Sequence, residues 1–292
     1  MSSETVIEAP AAPGGLAAQL RASLLSWPVL SACIVLLLVI ALALLAPWVS
    51  HWNPIDIDPS QRLKPPSSQH WLGTDALGRD IFSRVAYGAR QSLVVGIGAV
   101  CISVLIGLVI GVIAGYFRLV DAVAMRVMDG LMAIPGILLA IALVSLSGAS
   151  LFTVLVAISI PEIPRVVRMV RSVIMGVRNE SYVEAAIILG TPVPTIMWRH
   201  MLPSTLAPLI VQGTYIFASA ILTEAILSFL GAGIPPEIPS WGNIMAEGRV
   251  YFMMLPGMIL YPGILVSLTV LSVNVLGDAV RDALDPRMAK RL

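Results

Sequence analysis

Charged side chains are scarce. Asp, Glu, Lys and Arg supply 12% of the 292 residues, about half of the roughly 25% that covers a soluble domain, so water is not the main solvent for this chain. Lysine stands only at Lys64 and Lys290, and the formal net charge is +1; no basic stripe exists for nucleic acid. The two cysteines, Cys33 and Cys101, both lie in apolar runs and read as small packing residues, not as a disulfide or a metal pair. The three histidines, His51, His70 and His200, show no ligand spacing, so no metal site is expected. There is no H-E-x-x-H, no G-x-S-x-G and no phosphate-cradling G-x-x-x-x-G-K-[ST]. Ser145 and Ser147 sit in an apolar run, but no histidine in any such run offers a base, so an intramembrane hydrolase lacks its second group. No catalytic residue and no bound cofactor are expected.

Apolar residues are what the sequence has: 58% of the chain, with a mean hydropathy of +0.91. A helix needs roughly 20 apolar residues to cross a bilayer, and six runs qualify: 27–49, 93–116, about 128–146 with a break at Pro135-Gly136, one from 151 past Pro161 and Pro164, 206–230, and 255–276. The second is dotted with glycines at the spacing that lets helices approach closely. The expectation is an all-α integral membrane protein with six transmembrane helices. Six crossings put both termini on one side. Twelve Lys/Arg side chains fall in the segments on the N-terminal side and six on the other, so that side reads as cytoplasmic. Residues 1–26 are polar, with acids at Glu4 and Glu8, and read as a disordered cytoplasmic tail followed by an anchor, not a cleavable signal. Residues 50–92 are proline-rich and read as an extended external segment. Residues 93–284 form a five-helix core, and 285–292 a cytoplasmic C-terminal tail.

One polar stretch interrupts the core on the inner side: YVEAAIILGTPVPTIMWRHMLPS, residues 182–204. A short helix is expected from 180 to 189, with Asn179 or Ser181 as its N-cap. Gly190 ends it in the left-handed conformation, and Thr191-Pro192 opens a second helix to about Met201. Leu202-Pro203 then turns the chain back into the membrane. On the residues alone this is either an interfacial elbow or a knob for a partner. The spacing of Glu184-Ala185-Ala186, Gly190 and Arg199-His200-Met201-Leu202-Pro203 resembles the cytoplasmic EAA loop of bacterial ABC importer permeases, in the form of the peptide-importer branch. HWLGTDALGRDIFSRVAYGARQSL (70–93), EAILSFLGAGIPPEIPSWGNIM (224–245) and GDAVRDALDPR (277–287) resemble segments of the C-type subunits of dipeptide and oligopeptide importers. One departure is Pro161, Glu162 and Pro164, where that branch has an aromatic, glycine-containing stretch.

The resemblance implies the type I ABC importer permease fold, with the loop at 176–204 as the coupling helix that docks in a groove of the ATPase through Glu184, Ala185, Ala186, Gly190, His200, Leu202 and Pro203. It implies a second homologous permease subunit, two ATP-binding subunits that hold ATP and Mg, an extracytoplasmic solute-binding protein, a di- or oligopeptide substrate and a bacterial inner-membrane setting in lipid. Nickel or another small solute is the alternative cargo. A proton-coupled secondary transporter is a rival that only Glu162 favours, and a structural scaffold would not need the broken loop. Three acids at membrane depth need partners or water. Asp129 and Glu162 read as structural pairs with Arg126 or Arg165, or as lining of a translocation path. Glu224, with no arginine close in sequence, reads equally as path lining. Trp241 and Asn243, in a stiff outer segment, read either as an anchor for the binding protein or as a lid packed on the spans. The arginines at 79–90 read as capping or pairing groups at the outer interface.

Overall fold

A computed structural model describes residues 26–284. The tail 285–292 and, apart from Ser26, the tail 1–26 lie outside the described residues. The described chain is helical, with one isolated bridge between Thr74 and Asp80. In order it forms α1 (Trp27–Val49), α2 (Ile81–Tyr116), α3 (Arg118–Met132), α4 (Gly136–Ser147), α5 (Leu151–Ser159), α6 (Ile163–Val177), α7 (Ser181–Ile188), α8 (Leu206–Phe229), α9 (Trp241–Gly248) and α10 (Gly257–Leu284). Four helices are long and apolar enough to cross a membrane: Trp27–Val49, Ile81–Tyr116, Val193–Phe229 and Gly257–Ala283. A fifth crossing exists if α3 and α4, bent by 86° at their junction, count together. The run expected at 128–146 is therefore a corner and not a straight span. Pro135 supplies the break, since it lacks an N–H and biases Ile134 away from helix.

The helices pack by stripes. On α1, Val29, Ala32, Val39, Ala43 and Ala46 are buried against α2 and α10, a spacing of three, seven, four and three that keeps one face inward. Leu37, Leu38 and Leu44 point outward, as lipid requires. Cys101 is exposed, on the wall of an apolar groove between α1, α2 and α8, and so is not the buried packing residue expected. The helix α2 also starts twelve residues before the expected span, at Ile81. Asp80 caps it, accepting from the Ser83 N–H at 2.7 Å. The segment before it is not extended as expected but folded on itself, with a 3-10 turn at Pro59–Gln61 and backbone bonds from Leu63 to Asp75 and from Thr74 to Lys64.

The most extensive helix–helix contact in the fold joins α2 to α6. A Cβ placed on Gly107 would lie 2.5 Å from Val166 Cβ. One on Gly111 would lie 2.7 Å from Val170 Cβ, and one on Gly115 2.7 Å from Ile174 Cβ. Val166, Val170 and Ile174 are fully buried. Three glycines, each one turn after the last, thus seat three branched side chains directly on backbone. Around this seam lies the main core, which adds Val95 and Ala99 of α2, Ala140 and Val144 of α4, Val154 and Ile158 of α5, and Leu209 and Ile216 of α8. Farther in, Arg171 of α6 forms a bidentate pair with Asp121 of α3, and Arg178 Nη1 donates to the Tyr116 carbonyl at 2.9 Å.

The seam makes a testable distinction between glycines. Gly111→Ala forces α2 and α6 apart, because the new methyl also lies 2.9 Å from the Val167 carbonyl oxygen; overpacking of this kind costs about 1–3 kcal/mol. Gly130, in α3, has nothing within 4 Å of its Cβ position, and Gly130→Ala should be neutral or slightly stabilising. Thermal aggregation of the purified protein in detergent should show a lower midpoint for Gly111→Ala only. Equal midpoints would show that the seam does not limit stability.

Candidate functional site

The broken loop follows α6 beside the Tyr116 end of α2, where Arg178 bonds the Tyr116 carbonyl. Glu180 precedes α7 with extended backbone and offers no side-chain cap, so neither Asn179 nor Ser181 is the expected N-cap residue. Val183 and Ala186 turn inward onto the main core together with Ile196 and Met201. Glu184 and Ala185 face out. The helix ends as expected: Gly190 has φ +73°, its N–H reaches the Ile187 carbonyl at 3.0 Å, and the Thr191 N–H reaches Ala186 at 3.0 Å. These paired bonds are the Schellman closure, and it needs a residue that tolerates positive φ. Nothing lies within 4 Å of a Cβ on Gly190, so conformation alone demands glycine here.

Beyond Gly190 the structure departs from the expected helix-turn. Pro192 is the N-cap of a single turn, Val193–Thr195; a π-helical segment follows at Ile196–Met201, and then a 3-10 turn at Leu202–Thr205. These run without a sharp break into α8, so Leu202-Pro203 does not turn the chain back. A proline inside a regular α-helix would leave a carbonyl without its partner; the wider and then tighter turns around Pro203 absorb that defect. His200 is half-buried, with its carbonyl 3.4 Å from the Tyr182 hydroxyl, and Leu202 packs on the core while Pro203 is exposed. The surface of the knob was not foreseen. Ile188, Leu189 and Trp198 are 85%, 84% and 75% exposed. The signal was present in three large apolar residues flanking the helix break, on a loop whose inward positions were already filled.

The opposite end of α2 holds a charged joint. Asp75 Oδ2 accepts from Arg79 Nε and from Arg84 Nη1, both at 2.6 Å. Glu247 of α9 accepts from Arg79 Nη2 at 2.6 Å and from Arg84 Nη2 at 3.0 Å. Asp75, Arg79 and Arg84 are buried. His70 Nδ1 lies 2.9 Å from Asp80, the cap of α2. The pairing expected for these arginines is present at Arg79 and Arg84 but not at the exposed Arg90, and Glu247 is a partner that sequence proximity did not offer.

This joint pins α9 down as a lid. Trp241 is wholly buried and its indole N–H donates to the Val85 carbonyl at 3.1 Å. Asn243 is buried too, donating to the carbonyls of Ile234, Pro235 and Ile238. In this conformation both are spent on fixing the lid and present no surface, which is the packing expected of a lid and not of an anchor for the binding protein. Glu224 is enclosed under the same lid, with Oε1 accepting from Ser228 and Ser240 at 2.8 Å each. It therefore does not line a path in this conformation, since α9 covers it. The carboxylate of Asp129 is exposed and pairs with Arg168, not with Arg126 or Arg165. Glu162 does pair with Arg165, at 3.0 Å. No group of metal-ligating side chains occurs among the described residues.

A family model for the binding-protein-dependent transport system inner membrane component matches residues 107–290. The chain belongs to that family. A second model, the N-terminal TM domain of oligopeptide transport permease C, matches residues 29–66 of this inner-membrane component. The chain is 55% identical over 250 residues to a probable peptide ABC transporter permease protein of Sinorhizobium fredii, covering 86% of each chain. It is 44% identical over 250 residues to a dipeptide transport system permease protein of Alkalihalophilus pseudofirmus, covering 85% of this chain and 82% of that one. It is 40% identical over 261 residues to a glutathione transport system permease protein of Escherichia coli, covering 89% and 86%.

The charged joint yields a prediction for this membrane component. Arg84→Gln leaves Asp75 and Glu247 facing each other with one cation fewer, and breaking a buried ion cluster costs about 3–5 kcal/mol. The variant should accumulate poorly in the membrane and expose the lid to limited proteolysis between 231 and 256. An unchanged digestion pattern would show that α9 is held without the joint.

Proposed function

We propose that the chain is one of two permease subunits of an ATP-driven importer of di- or oligopeptides, and that residues 181–203 form the knob through which separate ATPase subunits move it. The observation that carries this reading is the knob itself. A surface of Ile188, Leu189 and Trp198 projects from a loop whose inner side is locked into the core by Val183, Ala186, Ile196 and Met201. An apolar surface on a rigid base suits a protein groove, and force applied there passes into α6 and α8 without loss in a flexible hinge. Glu184, at the start of α7, adds a charge able to fix register against a basic groove. Hydrolysis belongs to the ATPases, as the chain lacks a nucleotide-binding loop.

The topology follows from the same picture. Six crossings result when the bent pair α3–α4 and the pair α5–α6 each count as one. The knob and the Tyr116 corner then share the cytoplasmic side with both termini, and the Asp58–Ser60 segment and the lid face outside. The excess of Lys/Arg on the knob side supports this orientation. Relatives named for peptide, dipeptide and glutathione transport support a peptide-like cargo. ATP-driven closure of the ATPases would rock the spans between outward- and inward-open states while a binding protein delivers peptide.

The test uses the whole transporter. Gly190→Val places a branched residue at positive φ, which costs about 1–3 kcal/mol and re-aims the knob, while Glu184→Ala removes the charge. Both variants should insert normally and abolish uptake. On purification with the partner subunits each should retain less ATPase, with roughly ten- to hundred-fold weaker docking for the lost charge-assisted bond. Normal retention and normal uptake in both would leave the knob as a connecting elbow.

A further inference from the structure

The paired acid on α5–α6 lies where the fold has its other polar surface at membrane depth. Glu162 sits between α5 and α6, and Arg165 Nη1 donates to its two oxygens at 3.1 and 3.0 Å. Ser219 of α8 donates to Oε1 at 3.0 Å. The Arg165 guanidinium lies over the Tyr215 ring, 5.6 Å from its centroid. Tyr215, Ser219 and Thr223 recur every fourth residue on α8, so they form one stripe. With Asn274 of α10, and with Ala218, Leu222 and Val270 between them, they line a cavity of about 170 Å³. The outward faces of α1 and α2, by contrast, carry Leu37, Leu38, Leu44, Val94, Ile97 and Leu105. An Arg–Glu pair at this depth whose arginine side chain is 45% exposed cannot face hydrocarbon without large cost. The stripe is the side of the subunit turned to water.

One detail gives the surface a chemical preference. Arg165 has five N–H donors in a planar fork, yet its bonds to other described residues all come from Nη1. The Nε–Nη2 edge has no partner among the described residues, and that edge matches a carboxylate with two parallel bonds. Glu162 and Tyr215 hold the guanidinium from the other side, so the edge is aimed and not free to wander.

We infer that Arg165, positioned by Glu162 and Tyr215, is a binding site for a carboxylate-bearing solute on the water-facing stripe of Tyr215, Ser219, Thr223 and Asn274. This rests on the transport reading and deepens it. The occupant is a solute with a free carboxylate, such as the C-terminus of a short peptide. Glu162 then serves as a positioning residue and not as the proton carrier of a secondary transporter.

The experiment uses the complete transporter with Cys33 and Cys101 replaced by serine and one new cysteine, Thr223→Cys or Asn274→Cys. Sulfonate- and trimethylammonium-bearing methanethiosulfonates report access and local charge, and Leu37→Cys serves as the lipid-facing control. Both stripe positions should react and the control should not. Removing one charge should change the anionic-to-cationic rate ratio by roughly five-fold or more, downward for Arg165→Gln and upward for Glu162→Gln. A tripeptide acid should slow labelling at Thr223→Cys, whereas its C-terminal amide should not. Arg165→Lys should keep the charge ratio and lose the discrimination between acid and amide, because an ammonium lacks the fork. Unreactive stripe positions, or ratios unmoved by either charge change, overturn the water-facing assignment. Equal protection by acid and amide, or by neither, overturns the carboxylate site. The labelling ratios do not depend on the cargo, so a transporter of some other solute would keep them while failing peptide uptake in the wild type.

Discussion

The fold depends on how closely α2 and α6 approach. Gly107, Gly111 and Gly115 remove three side chains from one face of α2, and Val166, Val170 and Ile174 fill the space down to the backbone. In lipid no hydrophobic effect drives helices together, so contact of this kind and polar pairing must do it. The seam uses both. Below the glycines, Arg171 and Arg168 of α6 reach Asp121 and Asp129 of α3, and Arg178 closes on the Tyr116 carbonyl. The seam fixes where α6 ends, and α6 leads through a short turn into α7. The direction of the knob is therefore set by a helix pair buried in the membrane.

The two ends of α2 follow different physics. At the knob end large apolar groups are left exposed on a base whose inner side is filled, which is the arrangement of a docking surface. At the lid end the charged groups bond one another, although Arg84 Nε and Glu224 Oε2 are buried without a partner among the described residues. Asp75, Arg79, Arg84 and Glu247 neutralise one another, Asp80 caps the helix, and Trp241 and Asn243 spend their donors on backbone carbonyls. Breaking such a joint strands buried charge, whereas parting the knob from a partner groove, in the role proposed for it, would re-expose only apolar surface on both sides. In the coupling role proposed for the knob, the permanent joint lies inside the subunit and the remakable contact outside it.

Several features were legible because they are local. Gly190 closes its helix by a rule that involves only neighbours, and φ and both closing bonds follow it. The long apolar runs, the break at Pro135 and the pairing of Glu162 with the arginine three residues on are equally local. The features that were not legible depend on distant partners. Glu247 lies 163 residues from Arg84, Arg168 lies 39 from Asp129, and Trp241 is buried only because Gly88 and Val85 of α2 leave room and a carbonyl for it. A tryptophan on a proline-stiffened segment looks the same in sequence whether it anchors a partner or a lid.

The sequence alone determined the solvent, the order of the helices and the break in the knob, because hydrophobic length, proline and positive-φ glycine act on the chain locally. It also carried the glycine ladder on α2, but not the helix that fills it. The tertiary structure alone decided what seals each acid, since Glu224 and Glu162 are both buried. Glu224 and Glu162 stand in similar apolar settings in the chain; α9 covers the first, while the second shares the polar stripe of α8. Burial is a property of what packs on top, and for both residues that is a segment remote in sequence.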